Sequence, residues 1–209
     1  MELKLIGIGS GVQTLTRAAE KAIRNADLLI GAERMLLECR MLQKEGARSE
    51  ADIFPDSIIE KIERAEAERI VVLYSGDSGF YSGAAGLSER LKERDIAFSL
   101  LPGISSVQLL SAALQEPWES WHLVSVHGRE IDPVALLMRE QDTFFLTDER
   151  RSPAAICMAI REAGHPHAEA VVGEKLGTGE AALTYGTVEA LSEMRFFPLS
   201  VLLVRRSMV

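Results

Sequence analysis

Short apolar runs alternate along the chain with longer amphipathic segments. Runs at residues 3–8, 28–30, 70–74, 97–100, 123–126, 143–146, 170–172 and 199–204 predict strands. Several are apolar at consecutive positions, the pattern of strands covered on both faces. Between them, residues 16–25, 57–69 and 82–94 read as helices. In the second of these, Ile58, Ile59 and Ile62 share one face and Glu60, Glu63, Glu66 and Glu68 lie on others, with Asp56 after Pro55 as the expected N-cap. Its charged run, residues 60–69, reads as a solvated helix face. Residues 181–185 predict a short antiparallel element, after which Gly186-Thr187 caps a helix beginning at Val188. Strands alternating with helices predict an α/β protein with mainly parallel sheets. Gln115-Glu116-Pro117-Trp118-Glu119-Ser120-Trp121 breaks the rhythm with a proline, two tryptophans and two acids. A domain junction is expected there, with an N-terminal domain of residues 1–115 and a C-terminal α/β domain of residues 116–209.

A length of 209 residues suffices for one full domain or two small ones. A chain that is 47% hydrophobic and 26% charged can bury a core, which excludes disorder and collagen-like structure. The net charge of -8 is evenly spread: 14 basic minus 18 acidic residues give −4 before Trp118, and 9 minus 13 give −4 from there on. No basic half exists, which argues against a nucleic-acid surface. No apolar run approaches the ~18–20 residues that cross a bilayer, and residues 1–7 read as a strand rather than a secretory leader. No membrane association and a cytoplasmic setting are expected. Cys39 and Cys157 sit in apolar, helical-looking segments and read as core packing ahead of a reactive or disulfide role. His165-Pro166-His167 lacks a third ligand in its neighbourhood, so no metal site is expected.

The chemistry concentrates in three loops. Gly7-Ile8-Gly9-Ser10-Gly11 follows the first strand, and glycines there let backbone turn tightly and approach a ligand. A dinucleotide fold wants G-x-G-x-x-G, but position 12 is Val12 and no acid ends the second strand at Ile30-Gly31. A plain strand-to-helix turn accounts for this loop equally well. Ser75-Gly76-Asp77-Ser78-Gly79-Phe80-Tyr81 follows the third predicted strand, where open α/β sheets bind ligands, although Asp77 also suits a turn or cap. Leu101-Pro102-Gly103-Ile104-Ser105-Ser106 follows the fourth, and Ser105 or Ser106 suits a helix cap or a ligand contact. Three such loops after three strands gather at one sheet edge and describe a pocket.

Together with Leu15-Thr16 and Val107, these segments resemble the three signatures of the tetrapyrrole (corrin/porphyrin) methyltransferases. Trp118, Val124-Ser125-Val126-His127-Gly128-Arg129, Leu146-Thr147-Asp148 and Val172-Gly173-Glu174-Lys175-Leu176-Gly177 resemble, more narrowly, members that methylate C-5 of precorrin-6Y or cobalt-precorrin-7 in cobalamin biosynthesis. The resemblance spans nearly the whole chain. It departs at Ser10 and Ser78, where the family's loops usually carry proline, and in a first loop one residue shorter.

The resemblance implies two small α/β domains with S-adenosylmethionine in the cleft between them, and a homodimer. It implies cofactor contacts at Gly9, Ser10, Gly76, Asp77, Phe80, Ile104, Ser105, Thr147 and Leu176, with Asp77 as an orienting carboxylate. No Ser-His-Asp triad is visible, in keeping with a methylsulfonium that needs alignment and exclusion of water more than activation. A substrate rich in carboxylates needs local cations in an acidic protein. His127, Arg129, Arg150 and Arg151 are the candidates, alongside a reading of the arginines as ordinary surface residues. In some relatives the C-5 domain is fused to a C-15 methyltransferase that removes an acetate carboxyl group, so a separate C-15 partner protein is expected. The alternatives are action on another ring position or on diphthamide, a nicotinamide-dependent oxidoreductase, and a catalytically silent partner subunit.

Overall fold

The computed structural model describes residues 1–126, 132 and 141–206, and among these the chain forms two compact units, Met1–Ser105 and Ser106–Val209. The units meet in sequence between Ser105 and Ser106, whereas the sequence placed the junction after Gln115. The helix between those two points therefore belongs to the second unit.

In the first unit, β1 (Glu2–Gly7), α1 (Arg17–Asn25), β2 (Leu28–Gly31), α2 (Glu33–Cys39), β3 (Arg48–Ala51), α3 (Pro55–Arg64), β4 (Arg69–Tyr74), α4 (Ala84–Glu93) and β5 (Ser99–Leu101) follow one another. The strands pair in the order β3-β2-β4-β1-β5, all parallel. Successive residues of a strand point to opposite faces, so β1 sends Leu3 and Leu5 one way and Ile6 and Ile8 the other. Leu3 and Leu5 pack with Ile58, Ile59 and Ile62 of α3 and Leu87 and Leu91 of α4. Ile6 and Ile8 pack with Ala19, Ala22 and Ile23 of α1 and Met35, Leu36 and Cys39 of α2. Each such fully buried Ile or Leu contributes roughly 1.5–3 kcal/mol of apolar burial.

Helix α3 starts earlier and ends earlier than its periodicity suggested. Phe54 is the N-cap residue and Pro55, whose fixed φ and missing N–H suit a first turn, is already helical. Asp56 is therefore in the first turn, where it pairs with Arg90 of α4, and is not the cap. No side chain caps the helix; Asp52 instead fixes the turn before it, accepting from the amides of Ile53 (2.8 Å) and Phe54 (3.0 Å). The helix stops at Arg64 because Ala65 is extended and Arg69 opens β4.

In the second unit, α5 (Ser106–Leu114), β6 (His122–Ser125), β7 (Thr143–Leu146), α6 (Pro153–Glu162), β8 (Glu169–Glu174), β9 (Ala182–Thr187), α7 (Val188–Ser192) and β10 (Val201–Val204) are described. Its sheet runs β6-β7-β10-β8-β9. Only β6 and β7 pair in parallel; the β7–β10, β10–β8 and β8–β9 pairs are antiparallel, against the expectation of mainly parallel sheets. The connection from Lys175 to Ala181 is too short for a parallel crossover, so β8 and β9 form a hairpin. Thr187 caps α7 as expected, its hydroxyl accepting from the Ala190 amide at 3.2 Å. Cys39 and Cys157 are both buried free thiols, and burial pushes them up to about 11 and about 12. After β10, Arg205 grips Glu116 through two bonds of 2.6 and 2.7 Å and Asp142 through a third of 2.8 Å, tying the strand's end to two loops. Glu116 contributes most to holding the guanidinium above its ordinary range, against burial, with Asp142 adding to it.

Candidate functional site

Strands β4, β1 and β5 are neighbours in one parallel sheet, so the loops that follow them leave the same edge side by side. Backbone joins them. Gly9 and Gly76 exchange hydrogen bonds across the first and second loops, N to O, at 3.1 and 2.8 Å. A Cβ on Gly7 would lie 2.6 Å from the Gly76 carbonyl oxygen and 2.8 Å from the Gly103 nitrogen. One on Gly103 would lie 2.1 Å from the Gly76 oxygen and 2.6 Å from that of Gly7. Side chains of any size are excluded at both positions, and three backbone segments touch directly.

Two side chains complete the seam. Asp77 Oδ1 accepts from the Gly79 amide at 2.7 Å, and Oδ2 accepts from the Gly103 amide at 3.1 Å, so one carboxylate shapes the second loop and holds the third. The buried Ser78 hydroxyl donates to the Leu101 carbonyl at 3.2 Å. The serine that stands where the family's proline is usual thus supplies a link between the loops that proline cannot make. In the first loop, Thr14 Oγ1 accepts from the Ser10 amide at 2.8 Å and donates to the Gly11 carbonyl at 3.0 Å. Gly11 has φ 134, and a Cβ there would approach Glu38 Oε2 of α2 to 3.0 Å.

The site residues suggested by sequence divide between the units. Gly9, Ser10, Gly76, Asp77, Phe80, Ile104 and Ser105 all fall on the three loops of the first unit. Phe80 and Tyr81 stack edge to face with centroids 4.9 Å apart. Gly76, at φ 67, has open space where a Cβ would stand, so a ligand can lie against bare backbone there, in contrast to the filled positions 7 and 103. Tyr74, at the end of β4, has its hydroxyl pushed up by burial.

Thr147, Leu176, Arg150 and Arg151 belong to the second unit. The Thr147 hydroxyl is buried and donates to the Ser200 carbonyl at 2.6 Å, so its proton is already engaged within the fold. Leu176 is buried against Gly173. Arg150 is exposed, whereas Arg151 directs one guanidinium N–H to the Val126 carbonyl at 3.0 Å. His127 and Arg129 lie outside the described residues.

Sequence reading missed Gly7 and Gly103 as contact positions and Ser78 as a tie between loops. Spacing shows that a loop is glycine-rich but not which glycine faces another strand's backbone. Chemically, the seam offers backbone, small side chains and one carboxylate already bonded to two amides. It is built to hold and orient. Among the described residues no group of three or more His, Cys, Asp or Glu is arranged to hold a metal ion.

A family model for tetrapyrrole (corrin/porphyrin) methylases matches residues 2–192. The chain is 30% identical over 191 residues to the cobalt-precorrin-7 C(5)-methyltransferase of Salmonella typhimurium, covering 91% of this chain and 92% of that one. It is also 30% identical over 185 residues to a precorrin-6Y C(5,15)-methyltransferase (decarboxylating) of a Sinorhizobium species, covering 87% of this chain and 44% of the relative. Among solved structures, the uroporphyrin-III C-methyl transferase of Thermus thermophilus, complexed with S-adenyl homocysteine, shares the fold with a TM-score of 0.78 at 18% identity. That match covers 98% of this chain and 97% of the other.

Proposed function

The chain belongs to the tetrapyrrole (corrin/porphyrin) methylases, and on that premise we propose that it transfers a methyl group from S-adenosylmethionine to C-5 of a corrin-ring precursor, cobalt-precorrin-7 or precorrin-6Y. The observation that carries this reading is the near full-length match to a relative bearing that activity. The loop seam supports it chemically. When bound, S-adenosylmethionine supplies an electrophilic methyl on a sulfonium, so the protein's task is alignment and exclusion of water.

The residues of the first unit suit that task. The open backbone face at Gly76 receives the cofactor, flanked by Phe80 on the second loop and by Ile104 and Ser105 on the third. Asp77 is a positioning residue: its two oxygens hold the Gly79 and Gly103 amides, and through them the shape of both loops. In the second unit, the family resemblance assigns Thr147 and Leu176 to the cofactor and Arg150 and Arg151, with His127 and Arg129, to the substrate's carboxylates. The enzyme works as a homodimer, and the C-15 methylation and decarboxylation fall to a separate protein. The Sinorhizobium relative, whose name carries both positions, is matched over 44% of its length.

Titration of the full chain with S-adenosylhomocysteine in a calorimeter tests the cofactor assignment. Saturable one-site binding is expected, and no heat at near-millimolar ligand would overturn it.

A further inference from the structure

The edge strand β3 (Arg48–Ala51) has almost no apolar content, yet the chain that leaves it exposes two large apolar side chains in succession. Ile53 is 62% and Phe54 68% exposed. They are held there with care. The Asp52 carboxylate accepts from both of their amides and from the Ser57 hydroxyl at 2.5 Å, and it pairs with Lys61 Nζ at 2.9 Å. Its side chain is only 8% exposed and that of Lys61 16%. Burial opposes the charge on Asp52, but Ser57, the Phe54 amide and Lys61 outweigh it and hold the carboxyl well below the usual range. A buried, charge-paired carboxylate fixing a turn whose next two residues are apolar and solvated is an expensive way to make a loop. Two adjacent exposed apolar side chains held in one shape offer a preorganised contact surface.

Position says what covers it. All strands of this sheet are parallel, so the turn after β3 leaves the same edge as the three glycine loops. Strand β3 is two places from β4, a lateral distance of about 10 Å. Helix α3 starts at Pro55 alongside α4, which continues from the second loop: Asp56 pairs with Arg90, and a Cβ on Gly86 would lie 4.0 Å from Pro55 Cγ. Tyr81 in the second loop and Val12 in the first are exposed apolar side chains on the same edge, both 42% exposed. These exposed apolar side chains thus follow three strands of the same sheet edge that carries the glycine loops.

We propose that Ile53 and Phe54 form an apolar plate that receives the flat face of the tetrapyrrole substrate and sets which ring is accepted. The inference rests on the methyltransferase reading above and adds to it the residues that determine substrate specificity. Four linked pyrroles form a broad, flat body whose charges lie at its rim. Such a body is broad enough to span the roughly 10 Å between β4 and β3 while its carboxylate arms reach outward. An aromatic ring offers that body area at small entropic cost.

Steady-state kinetics of the full-length protein with the corrin precursor test this, with S-adenosylhomocysteine calorimetry run in parallel. Phe54→Ala should raise KM for the tetrapyrrole about tenfold, with kcat within about twofold of the parent. S-adenosylhomocysteine affinity should not change. Phe54→Leu should recover most of the loss, and Asp52→Ala, which frees the turn, should mimic Phe54→Ala. Met41→Ala, an exposed apolar residue between α2 and β3, should leave the kinetics unchanged. Methyl transfer with an unaltered KM in Phe54→Ala, or a KM rise matched by lost S-adenosylhomocysteine affinity, would overturn this inference alone. Absence of methyl transfer by the unaltered protein would overturn the functional reading with it.

Discussion

Replacing Gly103 by alanine tests the loop seam at its tightest point. The added Cβ would stand 2.1 Å from the Gly76 oxygen and 2.6 Å from the Gly7 oxygen, where ordinary contact begins at 3.4 Å. The Gly76 carbonyl must then retreat by 3.4 − 2.1 = 1.3 Å, and that of Gly7 by 3.4 − 2.6 = 0.8 Å. The Gly76 carbonyl is also the acceptor for the Gly9 amide at 3.1 Å, so the retreat breaks that bond. Movement of the third loop in the other direction draws the Gly103 amide away from Asp77. Overpacking costs about 1–3 kcal/mol and each lost hydrogen bond about 1 kcal/mol, so the expected loss is about 2–5 kcal/mol. Urea unfolding measures it, and calorimetry with S-adenosylhomocysteine measures the accompanying loss of affinity. Gly179→Ala is the control, since a Cβ there meets nothing within 4 Å, and it should stay within about 0.5 kcal/mol of the parent. If Gly103→Ala matches that control in stability and binding, the three loops are not locked together as described.

Asp77→Asn should weaken S-adenosylhomocysteine binding and cost about 1–3 kcal/mol, because the amide's NH2 cannot accept from Gly103 as the carboxylate does; unfolding and calorimetry on the same sample check both effects. In the second unit, Arg205→Ala should cost about 1–3 kcal/mol by stranding Glu116 and Asp142, and Arg205→Lys should restore only part of it, since a single ammonium cannot reproduce the two-pronged grip; denaturant midpoints of the three proteins decide. Burial raises the thiols of Cys39 and Cys157 from 9.0 to about 11 and about 12, so their contribution to stability is complete below pH 9 and is lost as pH climbs through those values. Iodoacetamide at pH 9 should therefore label neither cysteine in the native protein and both in urea, as read by mass spectrometry.

The apolar runs located the central strands because those strands are covered on both faces, and β4 with its Ile70-Val71-Val72-Leu73 is the clearest example. Strand β3 was missed for the complementary reason. Its Arg-Ser-Glu-Ala sequence lies at a sheet edge and carries no burial signal, so only pairing with β2 reveals it. The cap of α3 was misplaced by two residues because an acid after a proline reads as a cap, whereas Pro55 is itself already helical and Phe54 caps through backbone alone. Leu199 was read into the last strand from its apolar character, but it has φ 68 and β10 begins at Val201. For the site, glycine spacing after strands found the loops. What it could not show is that Gly7, Gly76 and Gly103 meet backbone to backbone, since contacts between residues so far apart in sequence are set by strand order.

The most direct test of the central claim is incubation of the protein with S-adenosylmethionine carrying a carbon-13 methyl group and with the corrin precursor, followed by NMR of the tetrapyrrole product. The account predicts a single labelled methyl, on C-5, with C-15 untouched and its acetate arm intact. A label at any other ring carbon, or none while S-adenosylhomocysteine binds, would contradict it.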